Sequence, residues 1–590
     1  MKKLVSIIIA LLGVAIIAGA VPARPGKFRY TQPDGSTVMV RLVGDEFGHW
    51  YIDAAGNNLL PDAAGYLKRA SDTEISSLRS RAAARFLSVN AARRAGMAPS
   101  NTGDHKIPVL VVQFQNLSFK VTDPADKFNN LLNQEGYSYG GATGSVRDFF
   151  LDNSQGQYRP SFTVLGPVTV SENYEYYGGT SSDGGDEDIA SIILDAAAQL
   201  DEDVDFSQFD SDADGYIDMV LVYYAGYNQA EGGSVKTIWP HQWSVYSSEK
   251  FDGVRFGSYF CTSELKGNSG TRFCGPATTC HEFSHSLGLP DFYDTDYESN
   301  GYAGGTYEYD TMAGGSYNND GNTPPYFNAE ERMMLGWLSS IPDLPARGAV
   351  TIPAISDDSQ LAYKSPSSLS GEYFVYECRA KQKWDAAIPE EGLIVYHVDK
   401  SSTPVSLGYS TVTAARLWSR WESYNAINAN GSHPCFYIIP AAAQNYETEN
   451  SYYGSQNSGL NYYSYRDTGY AFGTATGYDS YIPVDWSGVT MDYGLMGIEY
   501  SDGEVSFKMK TDKRFNYIDP GQGSYSAGDA FALELISSEL DPPTVISWYY
   551  DGVAVSGNSL TLTAGTHTVS AELSLKSGAS QTVELELTVK

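Results

Sequence analysis

His281-Glu-Phe-Ser-His285, followed by Ser-Leu-Gly288-Leu-Pro-Asp291, is the most informative part of this 590-residue sequence. It has the pattern H-E-x-x-H-x-x-G-x-x-D. Residues four positions apart lie on one face of an α-helix, so His281 and His285 are predicted to direct two imidazoles at one point. Zinc takes neutral imidazole ligands and keeps a position open for water, and Glu282 beside that point would be the general base.

A third ligand is expected shortly after the helix. Gly288 allows the helix to end and the chain to turn. Asp291 is then the candidate third ligand, and Asp294 is the alternative. The competing interpretation is a surface helix with two solvated histidines. The chain has only eight histidines, so the motif would rarely occur by chance, and this disfavours the alternative.

The composition limits the class of protein. The chain has 71 acidic and 39 basic residues, a formal charge of −32, which argues against nucleic acid or an anionic membrane as the main partner. An acidic composition is typical of soluble secreted proteins, and it is also found where clustered carboxylates bind Ca²⁺. About three to five domains are expected at this length. The high counts of glycine (58) and tyrosine (44) predict a turn-rich, β-rich extracellular protein.

The N-terminus has the features of a secretory signal peptide. Two lysines precede the apolar run Leu4–Ile17, and Ala18-Gly19-Ala20 offers a small-x-small cleavage site. Cleavage after Ala23 is the alternative, so the signal peptide is expected to span 1–20 or 1–23. No later stretch reaches about 18 apolar residues, so no transmembrane span is expected in the mature chain. A secreted or extracytoplasmic location follows.

The pattern of apolar residues divides the remaining chain into four parts. Residues 21–104 predict a small β domain plus a helix. From 105 to 345, apolar strands alternate with helices, which favours an α/β domain that contains the helix of His281. The helical pattern then fades, so 346–512 is predicted to be a β-sandwich and 513–590 an immunoglobulin-like β domain.

An acidic loop precedes one of the buried strands. Carboxylates alternate along it, Gly215 is at the sixth position and a carbonyl oxygen is expected at the seventh, in the order of an EF-hand calcium loop. Position 12 is Leu221 instead of Glu, and a strand follows instead of a helix. The pattern predicts a structural Ca²⁺ loop inside another fold, and an Asp/Gly-rich turn without metal is the alternative. The expected ligands are Asp210, Asp212, Asp214, Tyr216 and Asp218.

Export also permits disulfides. Cys261 and Cys274 flank a turn and could join a hairpin, and Cys378 and Cys435 lie in later strands and could pair. Cys280 is expected to be the unpaired cysteine, as a buried small apolar residue.

Met312 lies in a glycine-bearing turn, Tyr309-Asp-Thr-Met-Ala-Gly-Gly-Ser-Tyr317. A methionine turn downstream of an H-E-x-x-H helix suits the floor beneath a cluster of histidines and zinc. Ordinary packing of the methionine is the alternative.

Together these motifs resemble the M6 family of secreted bacterial metallopeptidases, the immune inhibitor A type. The resemblance spans roughly residues 30–511, and the order of the motifs is more specific than any one of them. Metzincins place a third histidine where this chain has Asp291, so the chain departs from that pattern and follows the M6-like one. The resembling segments are Gln32–Gly35, Ile107–Phe114, Asp210–Gly226, Ile238–His241, His281–Asp294, Asp310–Tyr317, Asn328–Trp337 and Tyr373–Val398.

The resemblance implies an exported zinc endopeptidase with a propeptide, protein or peptide substrates, and Ca²⁺ in the catalytic domain. The expected fold class is multidomain α/β + β. It comprises a zincin-like catalytic domain with a mixed sheet and an active-site helix, then a β-sandwich domain, then an immunoglobulin-like domain. The sequence gives no prediction of the oligomeric state.

In the expected mechanism, Glu282 takes a proton from the zinc-activated water and passes it to the leaving amine. Tyr317 and His241 are candidate donors to the oxyanion, with a packed aromatic ring and a structural histidine as alternatives. Residues 24–104 contain no cysteine, so a propeptide thiolate cannot block the zinc. A carboxylate, for which Asp53 is one choice, or a steric plug remains.

Two other classes of function stay open. The first is a non-catalytic adhesin whose metals only stabilise its fold, and the intact Glu282 argues against it. The second is a zinc hydrolase of other bonds, against which only the family resemblance speaks. A tyrosine-rich stretch is expected to be either a face that binds glycans or proteins, or a loop packed on its own sheet. Its residues are Tyr446, Tyr452, Tyr453, Tyr462, Tyr463, Tyr465 and Tyr470.

Overall fold

The computed structural model describes residues 22–78, 100–178, 188–295, 305–401, 433–442 and 471–590 apart from short gaps, with residue 81 and a few residues between 402 and 432. The apolar run Leu4–Ile17 and the tyrosine-rich stretch lie outside these residues. Within the described parts of the chain, no helix combines the length and the apolar character that a membrane span requires.

The N-terminal strands form an antiparallel five-stranded meander. One face of this sheet carries Val40 and packs on Trp239 of the next part of the chain. The opposite face carries Ile52 and packs on Ile75 of the helical residues 72–78. The sheet therefore has a partner on each side. Its strands are β1 (Phe28–Thr31), β2 (Thr37–Gly44), β3 (His49–Asp53), β4 (Asn58–Pro61) and β5 (Leu67–Arg69).

A five-stranded mixed sheet forms the centre of the next part, in the order β7-β6-β8-β10-β9. Four strands are parallel, and β9 pairs antiparallel at the edge. Along β6, Val109 and Val111 face one apolar layer, and Leu110 and Val112 face the other. Burial on both faces explains the continuous apolar sequence of this strand. The strands are β6 (Gly103–Gln113), β7 (Tyr158–Thr169), β8 (Tyr216–Tyr227), β9 (His241–Ser244) and β10 (Arg255–Leu265).

Helices cover both faces of this sheet. The helix around Ile192 packs on one face, and the helices around Phe128, Phe149 and Phe283 pack on the other. Ser145 and Asp148 form a capping box, which explains why the second helix begins where it does. The helices are α1 (Pro124–Asn133), α2 (Val146–Asn153), α3 (Tyr174–Tyr177), α4 (Ile189–Leu200), α5 (Ala277–Ser286) and α6 (Ala329–Met334).

The strands after residue 345 form two facing four-stranded sheets, β11-β20-β19-β18 and β12-β13-β14-β17, and a separate hairpin of β15 and β16. Leu393 and Val395 of β14 fill the space between the two sheets. Ile394, Tyr396 and Val398 point the other way, into the apolar layer that also contains α5. The strands are β11 (Gly348–Pro353), β12 (Ala362–Pro366), β13 (Glu372–Arg379), β14 (Gly392–Asp399), β15 (Val405–Leu407), β16 (Ser410–Val412), β17 (Phe436–Ile439), β18 (Ser480–Tyr481), β19 (Gly494–Ser501) and β20 (Glu504–Lys510).

The C-terminal residues form the four-stranded sheet β25-β24-β27-β28 and two short pairs, β21-β23 and β22-β26. Phe531, Val569 and Ala571 lie in their common core. An immunoglobulin-like topology stays a prediction for this part. The strands are β21 (Tyr517–Ile518), β22 (Ala530–Ala532), β23 (Leu535–Ile536), β24 (Pro543–Tyr550), β25 (Val553–Val555), β26 (Ser559–Thr561), β27 (Gly565–Leu575) and β28 (Ser580–Val589).

The two predicted disulfides are wrong, because all five cysteines are free in the structure. Cys261 faces the apolar layer on the α4 side of the central sheet, whereas Cys274 packs on the layer of α5. Cys378 and Cys435 likewise face opposite layers of the sheet that contains β13. A sheet therefore separates the members of each pair. Cys280 is buried, as expected.

Candidate active site

Helix α5 carries the H-E-x-x-H motif in the interior of the protein. His281, Glu282 and His285 each have a relative exposure of 0%. On another face of the helix, the ring of Phe283 lies edge-on to that of Phe150 at a centroid distance of 5.0 Å, which anchors the helix in the core. The alternative of a surface helix with solvated histidines is therefore wrong.

Three donor atoms converge beside this helix. Nε2 of His281 lies 3.2 Å from Nε2 of His285 and 3.2 Å from Oδ1 of Asp291, and His285 Nε2 lies 3.4 Å from the same oxygen. Ligand atoms around a tetrahedral zinc ion with bonds of about 2.0–2.1 Å are roughly 3.3–3.4 Å apart. The three side chains thus have the composition and the spacing of a zinc site. Asp291 joins this group, and Asp294 does not.

The two imidazoles are oriented by main-chain carbonyls. Nδ1 of His281 donates to the carbonyl of Thr311 at 2.8 Å, and Nδ1 of His285 donates to that of Leu289 at 2.7 Å. Because a carbonyl only accepts, both Nδ1 atoms carry a hydrogen, which leaves Nε2 of each ring as the metal-binding atom. Gly288, with φ +105°, makes the turn that brings Leu289 and Asp291 to the helix.

The electrostatics of the three side chains also suit a cation. Burial lowers the pKa of His281, but the hydrogen bond and charge of Asp291 outweigh it and raise that pKa to about 9. Burial prevails at His285, whose pKa is lowered. Burial alone would raise the pKa of Asp291, but the two histidines bring it to about 2. Asp291 is therefore an anion at neutral pH, as a metal ligand must be, and a metal ion would displace the proton of His281.

The turn that contains Met312 contacts the first histidine of the motif through the carbonyl of Thr311. Met312 is completely buried in the same apolar layer as α5. Its amide donates to Oδ1 of Asp310 at 2.7 Å, and its carbonyl accepts from the amide of Phe292 at 2.9 Å. Asn328 at the start of α6 holds the other oxygen of Asp310 at 3.1 Å. The turn is thus fixed from both sides while Thr311 orients His281.

The acidic loop brings together three of the five predicted calcium ligands. Carboxylate oxygens of Asp210, Asp212 and Asp218 lie within 4.8 Å of one another. The carboxylate of Asp214 accepts from the amide of Tyr216 at 2.8 Å instead. Burial, with the charges of Asp212 and Asp210, raises the pKa of Asp214 and of Asp218. This concentration of negative charge is one that a cation would relieve.

The two candidate oxyanion donors have different surroundings. The ring of His241 lies within hydrogen-bonding distance of the Trp239 carbonyl (2.7 Å) and the Tyr259 hydroxyl (2.9 Å). This favours the alternative of a structural histidine. Tyr317 donates from its hydroxyl to the carbonyl of Pro22 at 2.5 Å. Tyr317 therefore already binds a peptide carbonyl in the structure.

The N-terminal sheet packs on Trp239 of the central domain. His49 stacks on Trp239 with ring centroids 4.6 Å apart and contacts Gln229 at 2.8 Å. Asp53, one choice for a blocking carboxylate, accepts instead from the amides of Ala55 and Asn57 in the turn between β3 and β4. Its carboxylate thus stabilises a turn, which does not favour a role at the zinc.

Sequence reasoning missed a group of buried side chains that connects the site to the later sheets. Arg379 of β13 forms two hydrogen bonds to Asp385, at 2.6 and 2.7 Å. The same guanidinium donates to the carbonyls of Tyr309 at 3.2 Å and Tyr326 at 3.0 Å. It thereby holds the start of the Met312 turn. The sequence offers no signal for this role, because an arginine in a β-strand is ordinarily exposed.

Comparison with known proteins bears on this site directly. Residues 118–336 match the family described as immune inhibitor A peptidase M6, catalytic domain. Immune inhibitor A of Bacillus thuringiensis subsp. alesti is 26% identical over 243 residues, covering 33% of this chain and 34% of that protein. Pre-pro-metalloprotease PrtV of Vibrio cholerae serotype O1 is 26% identical over 208 residues, 30% of this chain and 22% of that protein. The chain thus spans about a third or less of the length of these relatives.

The matched residues include the helix and the three converging side chains, so they define a metallopeptidase domain. Residues 118–336 are thus similar to the catalytic domain of the M6 peptidase family. The family implies a metal ion, and the donor set of His281, His285 and Asp291 fits one.

Proposed function

We propose that this protein is an exported zinc-dependent endopeptidase that hydrolyses peptide bonds of extracellular proteins. The observation that carries the proposal is the convergence of His281, His285 and Asp291 at 3.2–3.4 Å beside Glu282, within a peptidase M6 domain. The predicted signal peptide supports export. Nε2 of each histidine and a carboxylate oxygen of Asp291 would hold the zinc ion.

When bound, a zinc ion supplies Lewis acidity and lowers the pKa of a coordinated water to about 7. The carboxylate of Glu282 accepts the proton of the attacking water and delivers it to the nitrogen of the leaving amine. Tyr317 donates a hydrogen bond to the oxygen of the peptide carbonyl as its negative charge develops. Burial of Glu282 keeps bulk water from the carboxylate that moves the proton.

The acidic loop is proposed to bind Ca²⁺ as a structural ion. Asp210, Asp212 and Asp218 would supply carboxylate oxygens, with Asp214 and the Tyr216 carbonyl as further candidate ligands. Ca²⁺ is then expected to raise the melting temperature of the protein, and Asp212→Ala to remove most of that rise. An equal rise in both proteins would contradict this assignment.

Residues 21–104 are proposed to be an inhibitory propeptide. The Tyr317 hydroxyl, which is proposed to serve the substrate, donates to Pro22 of this segment. The sheet packs over Ala230 and Trp239 of the catalytic domain, which supports steric blockage. One of the relatives is named a pre-pro-metalloprotease. Equal activity of a 21–590 form and a form that starts near residue 105 would exclude inhibition.

The central test is digestion of casein or gelatin with and without EDTA, with zinc then restored, by the purified protein after the folded chain has been cleaved near residue 105. Glu282→Gln is expected to reduce hydrolysis at least about 100-fold while zinc content is unchanged, because general-base catalysis contributes about 10²- to 10⁴-fold. Glu249→Gln, an exposed change, is the matched control. Near-normal turnover of the Glu282 variant would show that the assignment is wrong.

The other classes of function give different results in the same test. A non-catalytic adhesin would bind zinc and cleave nothing. A hydrolase of other bonds would leave casein and gelatin intact and release products from ester or glycan substrates only when Glu282 is present.

A further inference from the structure

We propose that Asp320 forms a subsite for a basic side chain, and that the segment Pro22–Arg24 shows how a substrate peptide binds. The segment contacts Tyr317, Ala230 and Asp320, and the space that it occupies between them is called the cleft here. The inference rests on the proposed peptidase function and names the substrate class of that site. It predicts a preference for Arg or Lys at the second residue after the carbonyl that Tyr317 binds.

The catalytic domain holds this segment by main-chain atoms. The amide of Arg24 donates to the carbonyl of Ala230 at 2.9 Å, and the carbonyl of Pro22 accepts from Tyr317. Ala23, between them, donates to Gly44 of the N-terminal sheet at 2.9 Å. In an extended chain, alternate residues direct their polar groups to the same side. Residues 22 and 24 thus face the catalytic domain, and any peptide offers the same two groups.

The side chain of the second facing residue meets a negative charge. Nη2 of Arg24 lies 4.0 Å from Oδ1 of Asp320. The other oxygen of Asp320 is bound by Arg272 of the catalytic domain. Asp320 therefore pairs with Arg272 of the catalytic domain and with Arg24, which would leave with a propeptide. After release of the segment, Oδ1 of Asp320 faces the position of an incoming side chain.

The backbone around Asp320 is built to present this carboxylate. Asn319 and Asp320 both have left-handed conformations, with φ +47° and +59°. Such conformations are unfavourable for non-glycine residues and persist where the surroundings enforce them. The side chain of Asn319 does so here, because its Nδ2 donates to the carbonyl of Gly141 at 2.9 Å and to Oγ1 of Thr323 at 3.0 Å. These two hydrogen bonds fix the backbone beside Asp320.

The neighbouring charged side chains Lys266 and Glu231 are engaged elsewhere, so Asp320 is the candidate to bind a basic side chain. Lys266 extends beneath Tyr317 with Nζ 6.0 Å from the ring centroid, but it is buried and paired with Glu231 at 3.5 Å. Glu231 also accepts from the amide of Gly267 at 2.8 Å, so its carboxylate is engaged within the domain. Asp320, by contrast, is 45% exposed. A half-exposed ion pair contributes modestly, so a preference of about three- to tenfold is expected.

The test compares fluorogenic peptides that differ only in Arg, Gln or Glu at the second position after the scissile bond. The wild-type protein and each variant are used after the folded chain has been cleaved near residue 105. The wild-type protein is expected to have the highest kcat/KM for Arg and the lowest for Glu. Asp320→Arg is expected to invert this order, and Asp358→Asn, a change at an exposed site, to preserve it. Hydrolysis by Asp320→Arg with the wild-type order would overturn the inference. Absence of hydrolysis of every peptide by the wild-type protein would overturn the proposed function itself.

A second measurement does not depend on activity. Hydrogen exchange of the peptide that covers residues 22–30 is measured in the full chain with Glu282→Gln, which prevents self-cleavage. Adding Asp320→Arg is expected to increase exchange several-fold, because two arginines then repel each other across the cleft. Adding Asp358→Asn is the control. Unchanged exchange with Asp320→Arg would show that Asp320 does not hold the segment.

Discussion

At the scale of single residues, Asp291 separates this site from one built on three histidines. A carboxylate ligand brings a full negative charge into a space where burial alone would raise its pKa, and the two imidazoles lower that pKa to about 2. The cation that binds here is therefore partly neutralised by its own ligands. The charge of Asp291 favours the protonated form of both histidines, and both histidines favour the charged form of Asp291.

Removing the charge of Asp291 is expected to weaken zinc binding strongly. Asp291→Asn replaces an anionic ligand by a neutral amide, so zinc affinity should fall at least about 100-fold, whereas Asp294→Asn should stay close to wild type. Competition with a chromophoric zinc chelator measures both affinities. A larger loss of zinc affinity in Asp294→Asn than in Asp291→Asn would indicate that Asp294 is the third ligand.

Sequence alone could suggest the candidate metal-binding side chains because they are close along the chain and chemically distinctive. His281 and His285 follow from helical spacing, and Asp291 follows from the turn at Gly288. The atoms that orient the imidazoles could not be located, because the carbonyls of Thr311 and Leu289 belong to the main chain, which every residue has. Tyr317 was a candidate from the sequence, but its contact with Pro22 joins residues 295 positions apart.

At the scale of elements, helix α6 carries a buried acid that makes stability depend on pH. Burial, reinforced by the charge of Asp310, raises the pKa of Glu331 well above its usual value. The folded protein therefore keeps a proton that the unfolded chain releases above about pH 4.5. The stability that this group contributes is complete below that pH, and it is lost as the pH rises toward the folded pKa.

Glu331→Gln is expected to remove this loss. The amide is neutral at every pH and can still accept from the amide of Asn328, which Glu331 caps at 2.7 Å. The melting temperature of the variant relative to wild type should therefore rise as the pH increases from about 5 to 8. Thermal unfolding across this range measures the difference, with the exposed change Glu249→Gln as control. A difference independent of pH would contradict the explanation.

At the scale of the whole molecule, the inner sheet β12-β13-β14-β17 belongs to two cores. One face closes the sandwich and the other completes the apolar layer of the active-site helix. The sequence predicted the strands and placed a domain boundary at residue 345, because the change of periodicity is local. The sequence could not show that alternate residues of β14 are buried in different apolar layers. Both faces of this strand are apolar, so the sequence does not indicate which layer each face contacts.

Arg379 is expected to be important for stability at this junction. Arg379→Met leaves Asp385 buried without its main partner, and breaking a buried ion pair destabilises by about 3–5 kcal/mol. Arg159→Met, which removes an exposed pair with Asp104, should change the free energy of unfolding far less. Urea unfolding measures both. Equal effects of the two changes would show that the Arg379 contacts add little.

The stacking of His49 on Trp239 would give an optical signal of the proposed maturation. The indole is 1% exposed while the N-terminal sheet covers it. Departure of that sheet would bring water to the ring, so its fluorescence emission should shift to longer wavelength as the cleft opens. Activation could then be followed in real time without a label or a substrate, and Trp239→Phe would identify the residue responsible for the shift.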